Sequence, residues 1–224
     1  MVTETEISIL LAKAGDTFRP LIAVLIFAGL RLGEALGLTW EDIYFETGFI
    51  RVRRQLGRDR QMAEIKTPAG RRNVVLMPEL GKVLCEHKLA QLHCGDSDFV
   101  FPAPDGRGRD HRSVSRGIER AVGRAKLGEG ISAHNMRHTF ASMLIVGLRY
   151  DPVAVSKQLG HTSAGFTAST YAHLFEQARH ADELRERMSN GFGRLLDVNT
   201  MSTRGRNQPK PAPAPVAAIK PIHG

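Results

Sequence analysis

The residues best equipped for chemistry are spread along most of the chain. Ser132-Ala-His134-Asn-Met-Arg137-His138-Thr lies in the C-terminal half, with His134 and Arg137 three positions apart. On a helix that spacing sends both side chains to one face. Leu159-Gly160-His161 comes next, and Tyr171 stands ten residues beyond that histidine, in Ser-Thr-Tyr-Ala-His-Leu. Far upstream is Gly29-Leu30-Arg31-Leu32-Gly33-Glu34, and between them lies Ile65-Lys66-Thr67-Pro68. A guanidinium stays charged at any working pH and forks onto paired anionic oxygens. An imidazole carries protons near neutrality. A phenol, with an ordinary pKa of about 10, becomes a good nucleophile only when a neighbour accepts its proton.

Taken singly, each of these residues has a plainer reading. Arg31 at a helix start would be a solvated cation. Tyr171 would be a half-buried ring anchored by its hydroxyl, and Lys66 an edge-strand charge that discourages aggregation. Such readings must explain Arg31, Lys66, His134, Arg137, His161 and Tyr171 as separate coincidences, yet they occur together and in one order. In that order and spacing the sequence resembles the tyrosine recombinases, or phage integrases, from about residue 5 to residue 190.

The resemblance implies a fold, a reaction and a role for each residue. The reaction is site-specific DNA recombination or integration through a 3′-phosphotyrosyl intermediate, with no cofactor and no metal. Tyr171 is the nucleophile and His134 helps with its proton. Arg31 and Arg137 bind the two non-bridging oxygens, with His161 adding a hydrogen bond. Lys66 protonates the leaving 5′ oxygen. Glu34, Trp40 and His138 match supporting positions. The partners implied are double-stranded DNA and further copies of the chain, as a tetramer on DNA. Family members usually carry a helical DNA-clamping domain ahead of the catalytic one, and the sequence leaves no room for it. The alternative reading is therefore a truncated or degenerate integrase that binds DNA without recombining it. A type IB topoisomerase would share the chemistry without exchanging partners. A metal-dependent nuclease would need clustered Asp and Glu, which do not accompany these histidines.

The elements that must position these residues are mainly helical. Thr3 with Glu6 has capping-box spacing before Ile7, Leu10 and Leu11, and Gly15 ends that helix. A second helix from Asp16 through Ala28 is apolar nearly all round and belongs in the core. Leu32–Leu38 continues the helical pattern. Strands are expected around Phe49–Val52, Ala63–Thr67 and Asn73–Leu76, forming one small antiparallel sheet. Helices resume at Glu79–Leu92, Ser113–Ala125 and His134–Val146. Asp151 then caps a helix with Pro152 at its first position and Gly160 at its end. A last helix is expected over Glu176–Met188. The fold class is α+β, mainly α-helical, with the catalytic domain over residues 1–190. Residues 191–224, rich in Pro, Ala and basic residues, read as a disordered tail.

Composition agrees with an intracellular nucleic-acid enzyme. The 224 residues include 31 Lys and Arg against 23 Asp and Glu, a net charge of +8. That balance favours polyanionic partners. Arg51, Arg53, Arg54, Arg71 and Arg72, in and beside the expected hairpin, are candidate phosphate contacts. Two cysteines exclude a disulfide framework and suit a reducing cytoplasm. The longest apolar run, Leu21–Leu30, is about half of a membrane span. Cys85, with Leu89 and Leu92, falls on what reads as the apolar side of a helix, which favours a core role over a zinc site with His87, His93 and Cys94. Tyr44 and Tyr150 compete for the nucleophile's role, but neither follows a Leu-Gly-His at the right distance.

Overall fold

The computed structural model describes residues 2–128, 130–161 and 183–190. Helix α1 (Glu4–Lys13) is closed by the expected capping box, in which the Thr3 amide donates to Glu6 at 2.8 Å and the Glu6 amide to Thr3 Oγ1 at 3.3 Å. Its Ile7 and Leu10 point into the core. Helix α2 (Arg19–Phe27) begins three residues later than expected, with Pro20 in its first turn, and every side chain from Pro20 to Ile26 is buried. It is the central rod, packed against α1, the short α3 (Leu32–Leu36) and two later helices, α4 (Pro78–Leu89) and α6 (Ala133–Ser142).

The strands form two sheets rather than the single sheet expected. In one, β1 (Ile43–Tyr44), β2 (Phe49–Val52) and β5 (Arg72–Val75) lie antiparallel in the order β1-β2-β5, with Ile50 opposite Val74. In the other, β3 (Arg54–Leu56) pairs with β4 (Met62–Glu64), Gln55 opposite Ala63. Arg53 separates β2 from β3, and its carbonyl accepts from the Ile65 amide at 2.9 Å. The break lets the hairpin leave the first sheet. The residues of β4 are exposed, so no apolar alternation marked them in the sequence.

Helix α5 (His111–Arg124), capped by Asp110, buries Val114, Ile118, Ala121 and Val122. After α6 comes a π-helical turn, Met143–Gly147, and then α7 (Pro152–Leu159), capped by Asp151 and ended by a left-handed Gly160 as its sequence predicts. One expectation for α4 is wrong. Its buried face is Leu80 and Leu84, while Cys85 is exposed and Leu89 and Leu92 are 88% and 96% exposed. The rows 80/84 and 85/89 are both apolar at helical spacing, and sequence alone picked the wrong one. His87 instead stacks on Phe101 and meets the Val100 carbonyl at 2.8 Å.

The described residues up to His161 belong to one compact unit. Residues 183–190, a helix, belong to a second. No helix among the described residues is long and apolar enough to cross a membrane.

Candidate active site

The first arginine is presented by a glycine turn. Gly29 is left-handed (φ +62), and a Cβ there would collide with the Phe140 ring, so the α2–α3 connection needs glycine. The turn delivers Arg31 to the N-terminus of α3, where Glu34 wraps back over it. The Arg31 amide donates to Glu34 Oε2 at 2.9 Å and its guanidinium Nη1 to Oε1 at 2.8 Å. Glu34 is almost wholly buried, whereas the Arg31 side chain is 45% exposed. Burial alone would raise the Glu34 carboxyl pKa. Hydrogen bonds and charge from Arg72, then the amide and charge of Arg31, outweigh it and hold the group below its ordinary value.

The second arginine comes from α6, whose first turn is capped by Ser132. Arg137 is buried, with Nη1 donating to the Gly29 carbonyl at 2.6 Å and Nη2 to the Leu159 carbonyl at 2.5 Å. Its Nη1 lies 3.9 Å from Glu34 Oε2. Arg31 Nη2 meets the next carbonyl along α7, that of Gly160, at 3.4 Å. Two guanidiniums from segments 106 positions apart by number thus meet one carboxylate and two successive carbonyls.

Those carbonyls lead straight to His161. Gly160 is left-handed (φ +66), and a Cβ there would come within 2.6 Å of Arg72 Nη1 and 2.9 Å of the Ala69 carbonyl. The turn is closed by the His161 amide donating to Ser156 at 3.2 Å. Burial, then the charges of Arg137, Arg31 and Arg72, then His138, lower the His161 pKa to about 4. At neutral pH this ring is uncharged and offers one N–H donor.

His134 and Arg137, three positions apart on α6, sit in different environments. Arg137 points inward, while His134 is exposed and meets His138, one turn on, with 2.9 Å between their Nε2 atoms. One of those nitrogens must donate and the other accept. Burial, followed by the charges of His134 and Arg137, lowers the His138 pKa.

Lys66 is exposed, two residues past the end of β4, and makes no hydrogen bond or ion pair among the described residues. Its hairpin is nevertheless fastened to the site, because Arg72 Nη1 donates to the Gly70 carbonyl at 3.0 Å. Tyr171 lies outside the described residues. Trp40 is buried and donates to Gln91 at 3.3 Å.

The five hairpin arginines divide sharply. Arg72 is not a surface residue: its side chain is 6% exposed and its Nη2 donates to Glu34 at 2.9 Å. Strand alternation carried the missed signal, since Arg72 is in phase with buried Val74. Arg53 and Arg54 are bound to Glu41 and Asp42, Arg53 at 2.7 Å from both. Both are held by this carboxylate cluster in the structure. Arg71 pairs with exposed Glu64 at 2.7 Å, and Arg51 lies 4.7 Å over the Tyr44 ring. Among the described residues no group of three or more His, Cys, Asp or Glu is placed to hold a metal.

Residues 1–178 match the model of the phage integrase family. The chain belongs to that family. Among its relatives, a tyrosine recombinase XerC-like protein of Caldanaerobacter subterraneus subsp. tengcongensis is 28% identical, the match covering 75% of this chain and 48% of the relative. The prophage integrase IntR of Escherichia coli K12 is 30% identical over 76% of the chain and 46% of its own length. In three dimensions the Tn1549 transposon integrase, solved in complex with circular intermediate DNA, superposes with a TM-score of 0.70 at 25% identity, over 83% of this chain and 66% of that one. The chain spans about half the length of these two curated relatives.

Proposed function

We propose that the chain is the catalytic part of a site-specific recombinase that cuts and rejoins duplex DNA through a 3′-phosphotyrosyl bond. The observation that carries this reading is the meeting of Arg31 and Arg137 at adjacent carbonyls of the Leu159–His161 turn, with a neutral histidine next in sequence. Three cations, Arg31, Arg72 and Arg137, gather around one carboxylate, Glu34. The surplus positive charge suits a phosphodiester, and suits better the more negative pentacoordinate phosphorus that forms during attack.

In the proposed step the Tyr171 oxygen forms a bond to phosphorus as its proton passes to a neighbouring base, with His134 in that role. The bond from phosphorus to the 5′ oxygen breaks, and Lys66 supplies the proton to that oxygen. Arg31, Arg137 and the His161 N–H hold the non-bridging oxygens. The phosphotyrosine keeps the energy of the broken bond, so a 5′-hydroxyl from a second duplex can reverse the step without ATP. Arg51 and Arg71, the hairpin arginines not buried or tied to the Glu41–Asp42 cluster, are the proposed contacts to flanking phosphates. The place of work is with DNA in the cytoplasm.

The test is covalent trapping. A pool of nicked duplexes of randomised sequence, incubated with the full chain in EDTA, should yield protein–DNA adducts that survive denaturation. Adducts that need a divalent ion, or affinity for DNA with no adduct, would replace this reading with a nuclease or with a DNA-binding protein.

Assembly on DNA as a tetramer, through the segment that follows Tyr171, is the second part of the proposal. Its support is the 183–190 helix, where Leu184 and Met188 are 50% and 54% exposed on an otherwise charged stretch. They lie one turn apart and make a small apolar face. Deleting residues 174–224 should reduce the size of the DNA complex in gel filtration to that of a single protomer on DNA. An unchanged complex defeats the assignment.

A further inference from the structure

We propose that Arg72 is a positioning residue of this site, holding the start of α3, the Lys66 hairpin and the Leu159–His161 turn in one arrangement. This rests on the reading above. Arg72 opens β5, and its strand phase sends it inward, between three segments that carry site residues. Its Nε donates to the Gln158 carbonyl at 2.6 Å, at the end of α7. Its Nη1 donates to the Gly70 carbonyl at 3.0 Å, four residues past Lys66, and to Glu34 Oε1 at 3.2 Å. Its Nη2 completes the fork on Glu34 Oε2 at 2.9 Å. A second rivet runs alongside, from the Val75 amide to the Gln158 side chain at 3.3 Å.

Only arginine can do this. Its planar group spreads five N–H donors over three nitrogens, whereas lysine's donors radiate from a single atom and cannot span the same acceptors. The space is also closed around it. A Cβ on Gly160 would come within 2.6 Å of Nη1, and one on Gly70 within 2.9 Å of Thr67 Oγ1. Arg72 takes a positioning role rather than a phosphate contact because four of its five N–H donors are taken up by Gln158, Gly70 and Glu34. What it adds is a common anchor. If the Arg72 guanidinium is lost, Gly70, Gln158 and Glu34 lose a donor together, so docking of the Lys66 loop and placement of His161 become one event. Among the described residues, Arg31, Arg72, Arg137 and His138 act on the His161 ring through their charge, so removing the Arg72 charge also changes the ring's ionisation.

The experiment compares the full-length chain with Arg72→Lys, which keeps the charge, and Arg72→Met, which loses it. Amide hydrogen exchange should quicken in Arg72→Lys at residues 31–34, 65–71 and 158–161 together, with α1 and α5 unchanged. The His161 ring, followed by NMR, should titrate at higher pH in Arg72→Met than in Arg72→Lys, which keeps the charge. On a nicked duplex recovered from the randomised pool, Arg72→Lys should slow adduct formation by about 10²-fold at saturating protein, the cost of a misplacement near 1 Å, with affinity changed less than about twofold. Faster exchange confined to β5, an unmoved His161 titration in Arg72→Met, or affinity falling in step with rate would each overturn the proposal. Should Arg72→Lys not melt cooperatively, Gly160→Ala displaces the same guanidinium without changing its charge and must loosen the same segments. Exchange and titration need no activity. A wild-type chain that forms no adduct therefore counts against the recombinase reading while these two measurements still decide on Arg72.

Discussion

A Tyr171→Phe chain is expected to bind the recovered duplex as the wild type does and to leave no covalent adduct. The substitution deletes one oxygen, the atom that would bond to phosphorus, and none of the cations proposed to hold the phosphate. Rate and affinity should therefore separate completely. Adduct formation should fall by more than about 10³-fold, as it does when a covalent nucleophile is removed elsewhere. Binding, proposed to rest on Arg31, Arg137 and the flanking arginines, should stay in place. Tyr44 and Tyr150 provide the controls. Tyr44 lies in β1 beneath the Arg51 guanidinium, and Tyr150 is 52% exposed in the turn before α7. Tyr44→Phe and Tyr150→Phe should both keep the adduct. An adduct that persists in Tyr171→Phe and vanishes in one of these would move the nucleophile and break the carry-over from the family. Loss of adduct and of binding together would mean that Tyr171 serves the fold.

The motifs were legible because backbone geometry forces their residue types. Gly29 and Gly160 both stand at positive φ with a neighbour where a Cβ would go, so Gly-Leu-Arg and Leu-Gly-His are as much turn signals as chemical ones. The order of helices could be read for the same reason, from caps such as Thr3–Glu6 and Asp151-Pro152. What could not be read was which way a charged side chain turns. Arg71 and Arg72 are adjacent and alike in sequence, yet one is on the surface with Glu64 and the other is buried on Glu34. Arg53 and Arg54 looked like a basic strip because their partners, Glu41 and Asp42, come from a turn more than ten residues earlier. In each case the deciding term is a long-range carboxylate, which local periodicity does not encode. The same limit explains His134 and Arg137, whose shared helix face hides opposite environments.

Glu34→Ala is expected to be the most destabilising single change in the site. The carboxylate is 2% exposed and takes hydrogen bonds from Arg31 and from both terminal nitrogens of Arg72, with Arg137 at 3.9 Å. Removing it leaves the Arg72 and Arg137 side chains, 6% and 7% exposed, without their counter-charge. Breaking a buried pair by deleting one partner typically costs about 3–5 kcal/mol. At about 2–4 °C per kcal/mol for a chain of this size, the melting temperature should drop by about 6–20 °C. A drop below about 2 °C would mean that the three arginines find other partners and that Glu34 is not the hub. Acid adds a second signature, with its sign fixed by the direction of each shift. The Glu34 carboxyl is held below its ordinary 4.5 in the folded chain. Its contribution is therefore complete above that value and is lost as pH falls through the depressed one. His161, neutral in the fold down to about 4 against an ordinary 6.5, loses its contribution across that earlier window. Wild-type stability should thus decline in two stages on acidification. Glu34→Gln, which keeps the shape without the charge, should keep the first stage and lose the second. A Glu34→Gln curve that still falls steeply below pH 4.5 would assign the acid limb to other carboxylates.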